Sequence, residues 1–270
     1  MSIISRFAPS PTGHLHLGHA YSAWMVFKRA NIFHLRLEDI DTTRCRPEFA
    51  ASIEEDLRWL GLDWADEIRV QSAHFPEYAA SLAHLQQRGL LYPCFCSRAD
   101  IARAITAPHG AEALYPGTCR HLPETERAKK IASGVPYALR LNTHTASAQA
   151  GPQKFFEEGF GWITAEPERL GDVVLARKDT PASYHLCVVH DDALQNITHI
   201  IRGEDLREST HIHVLLQNLL GLLTPVYAHH RLLTGPDGKR LAKRDHAATL
   251  REMRAAGTTA QTILQRFQSA

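Results

Sequence analysis

Residues 8–19, Ala-Pro-Ser-Pro-Thr-Gly-His-Leu-His-Leu-Gly-His, combine two prolines, two glycines and three histidines at a helix start in twelve positions. Before them, Ile3 to Phe7 reads as a short buried strand. After them, Ala20, Trp24 and Phe27 mark an amphipathic helix reaching about Ala30. A strand that turns tightly into a helix opens a parallel α/β sheet, and the loop between them lies where such sheets hold ligands. The helix N-terminus offers free N–H groups and positive dipole to a phosphate. Gly18 lets a nucleotide ring approach the backbone, and His16 and His19 can donate to phosphate oxygens as charge builds. HLGH alone would read as an ordinary turn; the whole run between strand and helix is specific.

The alternation continues. Phe33 to Leu37 is a second strand ending in the acids Glu38, Asp39 and Asp41. Pro47 suits the first turn of a helix running to Leu60, and another helix spans about Pro76 to Arg88. Strand, crossover helix, strand is the unit of a parallel sheet. From Leu90 to Leu170 the pattern breaks, with cysteines, several Pro and Gly, and a polar segment (Thr143 to Gln153) of little periodicity. Strands are then expected near Gly171 to Ala176, His185 to Val189 and Ile197 to Arg202. A helix follows at Ser209 to Leu220, with Leu215, Leu216, Leu219 and Leu220 on its buried side. A Gly/Pro loop (Thr234 to Gly238), a basic stretch, and one or two short helices with a frayed tail close the chain. The domains expected are 1–89 with 171–244, an insertion at 90–170, and a helical tail at 245–270.

Lys and Arg number 30 against 29 Asp and Glu, so the formal charge of +1 predicts no global field for a polyanion. A nucleic-acid partner must be held by a local basic face. Met1 to Phe7 lacks the pattern of a signal peptide, and no stretch has the apolar length to span a bilayer. Five unevenly placed cysteines make no disulfide framework, which points to a reducing cytoplasm.

The run at 8–19 resembles the HIGH signature of class I aminoacyl-tRNA synthetases. Its Arg-Phe-Ala-Pro-Ser-Pro-Thr-Gly form, starting at Arg6, is similar to the glutamyl and glutaminyl branch. The second class I signature, KMSKS, is matched loosely by Arg240-Leu241-Ala242-Lys243-Arg244, with alanine in place of serine at 242. The resemblance implies a Rossmann-like α/β catalytic domain with an inserted zinc-containing α+β subdomain. It implies ATP, carried with Mg2+, against Pro9, Thr12, Gly13, His16, Gly18, His19 and Lys243. Catalysis would fall to His16, His19 and Lys243, the lysine stabilising the leaving pyrophosphate.

Arg6, Ser10, Glu38, Tyr184 and Arg202 sit at or just past expected strand ends, positions that converge on one rim of a parallel sheet. Their chemistry suits glutamate, since a carboxylate accepts a guanidinium and an ammonium needs an anion. The blocks at 35–41, 181–186 and 201–206 resemble family blocks, and the resemblance implies that Glu38 faces the ammonium and the arginines the carboxylates. The other reading is that Arg6 and Arg202 merely pair with the acidic run. Cys94, Cys96 and Cys119 with Tyr115 or His121 offer a set for one structural zinc ion. His121 is the chemically common fourth ligand, whereas the tyrosine spacing resembles the short paralogues of the family and favours Tyr115. Three ordinary buried thiols are the alternative, and Cys45 and Cys187 read as solitary packing thiols.

The resemblance runs from Arg6 to about Arg244, without the large helical anticodon-binding region of full-length glutamyl enzymes. It implies a truncated paralogue that activates glutamate as its adenylate without tRNA and transfers it to the queuosine base of aspartate tRNA. A monomer with no membrane contact is expected. Three other readings stay open: an adenylate-forming enzyme with another acceptor, a non-catalytic glutamate or nucleotide sensor, and a general HxGH nucleotidyltransferase, which the set Arg6, Glu38 and Arg202 disfavours.

Overall fold

The computed structural model describes residues 2–97, 99–101, 114–233 and 248–268. β1 (Ile4–Phe7) pairs in parallel with β2 (Ile32–Leu37), and β2 with β3 (Arg69–Val70). A second sheet has the order β7 (Gly161–Thr164), β6 (Lys154–Glu157), β10 (Val226–His230), β9 (His199–Gly203), with β6 and β9 both parallel to β10. The two sheets meet where the Thr198 N–H donates to the Ile4 carbonyl (3.0 Å) and Ser5 Oγ donates to the His199 carbonyl (2.7 Å). From this seam the chain leads to β2 and β3 on one side and to β10 on the other. The seam between β1 and β9 is therefore a topological switch point, the crevice where open α/β sheets bind ligands.

A third sheet is antiparallel: β4 (Leu91–Cys94), β5 (Ala138–Leu141) and β8 (Val174–Ala176). Asp172 ties it together. Its carboxylate accepts from the Tyr92 hydroxyl, Arg120 Nη1 (3.1 Å) and the Thr143 N–H (3.0 Å).

The first helices form as the sequence predicts. α1 spans Leu17–Phe27, α2 Pro47–Trp59 with Pro47 in its first turn, and α3 Phe75–Gln87. α1 and α2 bury Ala20, Ala23, Val26, Ile53 and Leu57 against Phe7, Leu35 and Leu37 of the first sheet. α4 (Glu124–Ala132) is a surface helix with no buried residue. Two segments differ from expectation. His185–Val189, read as a strand, lies inside α6 (Tyr184–Leu194), because a five-residue apolar run does not separate a strand from a buried helix. The polar segment from Thr143 forms α5 (Thr143–Ala150), begun by Asn142 Oδ1 accepting from the Thr145 N–H (3.2 Å).

α6 packs with α3, α5 and α7 (Ser209–Leu219) in a second core that buries Leu186, Leu215, Leu216 and Leu219. The closing helices α8 (Leu250–Ala255) and α9 (Ala260–Gln268) are no loose tail. Leu250, Ile263 and Phe267 are buried in the first core, each contributing about 1.5–3 kcal/mol. Phe267 sits edge-on to Tyr21 of α1, with ring centroids 5.5 Å apart. Among the described residues no helix is long and apolar enough to cross a membrane.

Candidate active site

At the switch point, a cavity of about 570 Å³ opens between the ends of β1 and β9 and the start of α1. Its lining includes Arg6, Pro9, Ser10, Thr12, His16, Gly18, His19, Glu38, Tyr184 and Arg202. Ten of the expected binding residues, drawn from four separate stretches of chain, thus share one wall system. Gly13 stands in the same turn but outside that lining. A neighbouring cavity of about 480 Å³ shares Ser10, Thr12, Glu38 and Tyr184 and extends along β8 to Arg177, Thr180 and His185.

His16 is the N-cap of α1. Its Nδ1 accepts from the Gly18 N–H (3.1 Å), while the His16 N–H reaches His19 Nδ1 (3.3 Å). The two rings stack with centroids 3.8 Å apart. Because each Nδ1 is an acceptor, each neutral ring carries its proton on Nε2. The N–H groups of Gly18, His19 and Ala20 are taken up by His16, so the chemistry the start of α1 turns to phosphate oxygens is that of two matched Nε2–H groups and the positive end of the helix dipole. The end of the chain braces this turn: His16 bridges Thr249, and the Leu250 N–H donates to the Leu15 carbonyl (2.8 Å).

The two arginines have unlike partners. Arg6 is bidentate to Asp192 (2.7 and 3.3 Å). Arg36, fully buried, reaches the same carboxylate (2.8 Å) and Gln195 (2.8 Å), and lies 3.6 Å from Glu38. Asp191, next in the chain, holds Arg69 (2.7 Å), Gln71 (2.8 Å) and the Tyr78 hydroxyl (2.9 Å). Burial alone would raise the Asp192 carboxyl, but Arg6 and Arg36 hold it below the usual range. Glu38 is left with the weaker share: burial pushes it up to about 7 despite Arg36 and Arg6.

Arg202 has no carboxylate within 4.0 Å among the described residues. Its guanidinium, 5% exposed, donates to Thr210 Oγ1 (2.7 Å), His229 Nε2 (3.2 Å), His213 Nδ1 (3.2 Å) and Tyr184 Oη (3.4 Å). A buried cation held only by neutral acceptors is an anion site. Neither arginine pairs with the acidic run at 38–41 in the manner of the alternative reading. Arg6 is taken by Asp192, and Arg202 has no carboxylate among the described residues.

Sequence reasoning passed over Arg36, Asp191, Asp192, Thr210, His213 and His229. The available signals were two adjacent acids within the apolar run Val188–Leu194 and a histidine among the buried leucines of α7. Lys243 and the rest of the segment at 240–244 lie outside the described residues.

In the antiparallel sheet, Cys94, Cys96 and Cys119 bring their Sγ atoms within 4.8 Å of one another, a cluster able to hold a metal ion. Cys96 Sγ lies 3.4 Å from Cys119 Sγ and 3.7 Å from the Tyr115 hydroxyl. A tetrahedral site with metal–sulfur bonds of about 2.3 Å has edges of about 3.8 Å, so these separations fit one ion. The thiols are free and too far apart for a disulfide. The Tyr115 hydroxyl also receives the Cys119 N–H (2.7 Å), whereas His121 is exposed. Burial, then a hydrogen bond with Cys119, raises the Cys96 thiol to about 11.

A family described as tRNA synthetases class I (E and Q), catalytic domain, matches residues 2–268. A glutamyl-Q tRNA(Asp) synthetase of Rhodobacter capsulatus is 46% identical over 275 residues, covering 97% of this chain and 98% of that protein. One from Symbiobacterium thermophilum is 43% identical, covering 97% and 84%. The crystal structure of a glutamate tRNA ligase from Elizabethkingia meningosepticum in complex with its amino acid superposes with a TM-score of 0.73 at 29% identity. That match covers 91% of this chain and 52% of the ligase, so the chain spans about half the length of that relative.

Proposed function

The chain belongs to the class I tRNA synthetases (E and Q), a family of ligases, and we propose that it activates L-glutamate with ATP and passes it to the queuosine base of aspartate tRNA. The observation that carries the first half is the pairing, in one cavity, of an Arg202 with no carboxylate partner among the described residues and a Glu38 raised to about 7. The amino acid supplies what each lacks: a carboxylate for Arg202 and an ammonium for Glu38. Ser10 and Tyr184 line the space between, and Arg6 flanks it.

ATP, entering with Mg2+, lies against Pro9, Thr12, Gly13 and Gly18, its phosphates at the start of α1. The α-carboxylate of glutamate attacks the α-phosphorus in line, and the bond to pyrophosphate breaks. The Nε2–H groups of His16 and His19 donate to oxygens that gain charge in this step. Lys243 neutralises the departing pyrophosphate. The flanks of its segment support this role, since Leu233 lines the cavity and Thr249 bridges His16.

A hydroxyl of the queuosine ring then attacks the adenylate carbonyl and AMP leaves. The acceptor reading is supported by the names of relatives that match over 98% and 84% of their own length. The second cavity, which runs from Glu38 to β8, gives the acceptor a path to the carbonyl. In this reading 1–89 and 171–244 form the catalytic domain and 90–170 an acceptor-binding insertion, with 245–270 as a bracing tail. The insertion is held by one structural zinc ion on Cys94, Cys96, Cys119 and Tyr115. The protein acts as a monomer in the cytoplasm.

Pyrophosphate exchange with glutamate, glutamine and aspartate, run without tRNA, tests the first half. Exchange with glutamate alone is expected, and none with any of the three removes the enzyme reading. Transfer of labelled glutamate to aspartate tRNA with and without queuosine tests the second. Equal transfer to both forms, or transfer only to glutamate tRNA, refutes the acceptor.

A further inference from the structure

The side chains that hold Arg202 all accept from it, and one of them, His213, is itself fixed by a further hydrogen bond. Arginine has no acceptor, so each partner must turn a lone pair towards it. His213 receives Nη1–H at Nδ1 and, uncharged, carries its own proton on Nε2. That Nε2 lies 3.1 Å from His185 Nδ1, which makes His185 the acceptor and leaves the His185 proton on Nε2. On the other side, His229 accepts Nε–H at Nε2 and, uncharged, carries its proton on Nδ1, which lies 3.0 Å from the buried Glu157 Oε1 without the geometry of a hydrogen bond. Arg207 in turn binds the same oxygen of Glu157 at 2.9 Å.

Burial first, then the charge of Arg202, depresses all three imidazoles, His185 to about 4 and His229 to about 3. The rings therefore stay neutral at physiological pH. The nearest carboxylate on this chain of contacts, Glu157, is separated from Arg202 by an imidazole and is already shared with Arg207. Four of the five guanidinium N–H groups are fixed in direction, and none is matched by a negative charge among the described residues.

On the basis of the glutamate reading of the cleft, we propose that His213 and His229 are positioning residues that aim Arg202 while leaving its charge uncompensated. Arg202 then distinguishes the side-chain carboxylate of glutamate from the amide of glutamine, and His185 fixes the tautomer of His213. A carboxylate acceptor would orient the guanidinium as well but would cancel the charge that selects the substrate. A hydrogen bond to a charged group is worth enough to shift affinity by about 10- to 100-fold.

The test uses the full chain in pyrophosphate exchange with glutamate and with glutamine, for wild type, His213→Asn, His213→Leu, His213→Asp and His229→Asn. His213→Asp is expected to raise KM for glutamate by about 10- to 100-fold, with kcat and KM for ATP within about threefold. The preference for glutamate over glutamine should fall by a similar factor. His213→Asn, which keeps an acceptor near the Nδ1 position, should recover KM to within about threefold of wild type, and His229→Asn should behave like it. If His213→Asp does not fold by circular dichroism, His213→Leu against His213→Asn carries the comparison. An unchanged KM for glutamate in His213→Leu and His213→Asp overturns the proposal. So does a parallel rise in KM for both substrates without rescue by asparagine. Wild type that exchanges with no amino acid overturns the activity reading, and this inference with it; wild type that exchanges with glutamate while His213→Leu and His213→Asp keep its KM and its preference overturns this inference alone.

Discussion

Glu38 is buried beside two arginines whose charge is mostly spent on Asp192, so it keeps its proton to about pH 7. Between its unfolded value near 4.5 and 7 the folded chain binds the extra proton, and ionising Glu38 costs stability as pH rises through that window. A bound ammonium reverses the balance. Glutamate binding at pH 6 should therefore release close to one proton, and at pH 8.5 almost none, as read by calorimetry in buffers of different ionisation enthalpy. KM for glutamate should climb by up to about tenfold per pH unit below 7. Glu38→Gln should lose glutamate activation yet resist urea better at pH 8, by on the order of 1–3 kcal/mol. Arg36 shows the opposite economy. It is fully buried between Asp192, Asp191 and Gln195, so Arg36→Met should cost about 3–5 kcal/mol in urea melts by leaving the buried acids Asp191, Asp192 and Glu38 one cation short. Arg6, Glu38 and Arg202 were legible as residue types that glutamate requires. Asp192 was not, because its value lies in which arginine it occupies, and that is a fact of three-dimensional pairing.

Along the chain, α1 shows how one residue serves both local structure and chemistry. His16 caps the helix through Nδ1 and presents Nε2–H to the cavity. Asparagine also caps helices well, so His16→Asn should melt within about 1 kcal/mol of wild type while pyrophosphate exchange falls by about 10²–10³. Equal loss of stability and of activity would show that the imidazole matters only as a cap. The strand–turn–helix start, α2 with Pro47 in its first turn, and α7 with its leucines were all legible from local pattern. α6 was not. Its apolar face and its two acids are spaced as a helix requires, yet the five residues His185–Val189 look like a strand when the rest is ignored. The strand-end argument for Tyr184 therefore gave the right rim through the wrong element: the residue opens α6, and α6 starts at the cleft.

At the scale of the molecule, the site exists because β1 and β9, whose residues are nearly 200 apart in sequence, abut at the switch point. The antiparallel sheet stands on the side of the second cavity, away from the His16–His19 turn. If the cysteine cluster holds this sheet, chelation should release about one zinc ion per chain and lower the melting temperature. Glutamate transfer to tRNA should then fall by more than tRNA-independent exchange. Metal analysis beside both assays checks this; equal loss in both would tie the cluster to the whole fold rather than to the acceptor side.

The sequence by itself determined the local units and the residue types on offer: the turn before α1, the cysteine spacing, and arginines and an acid whose chemistry suits glutamate. These depend on residues close in the chain or on side-chain chemistry alone. Only the tertiary structure decided the charge balance of the site, with Arg6 compensated by Asp192, Arg202 left to neutral histidines, and Glu38 between them. Electrostatic energy depends on distance and burial, and the partners that set both are brought together by the sheet seam and α6 from opposite ends of the chain.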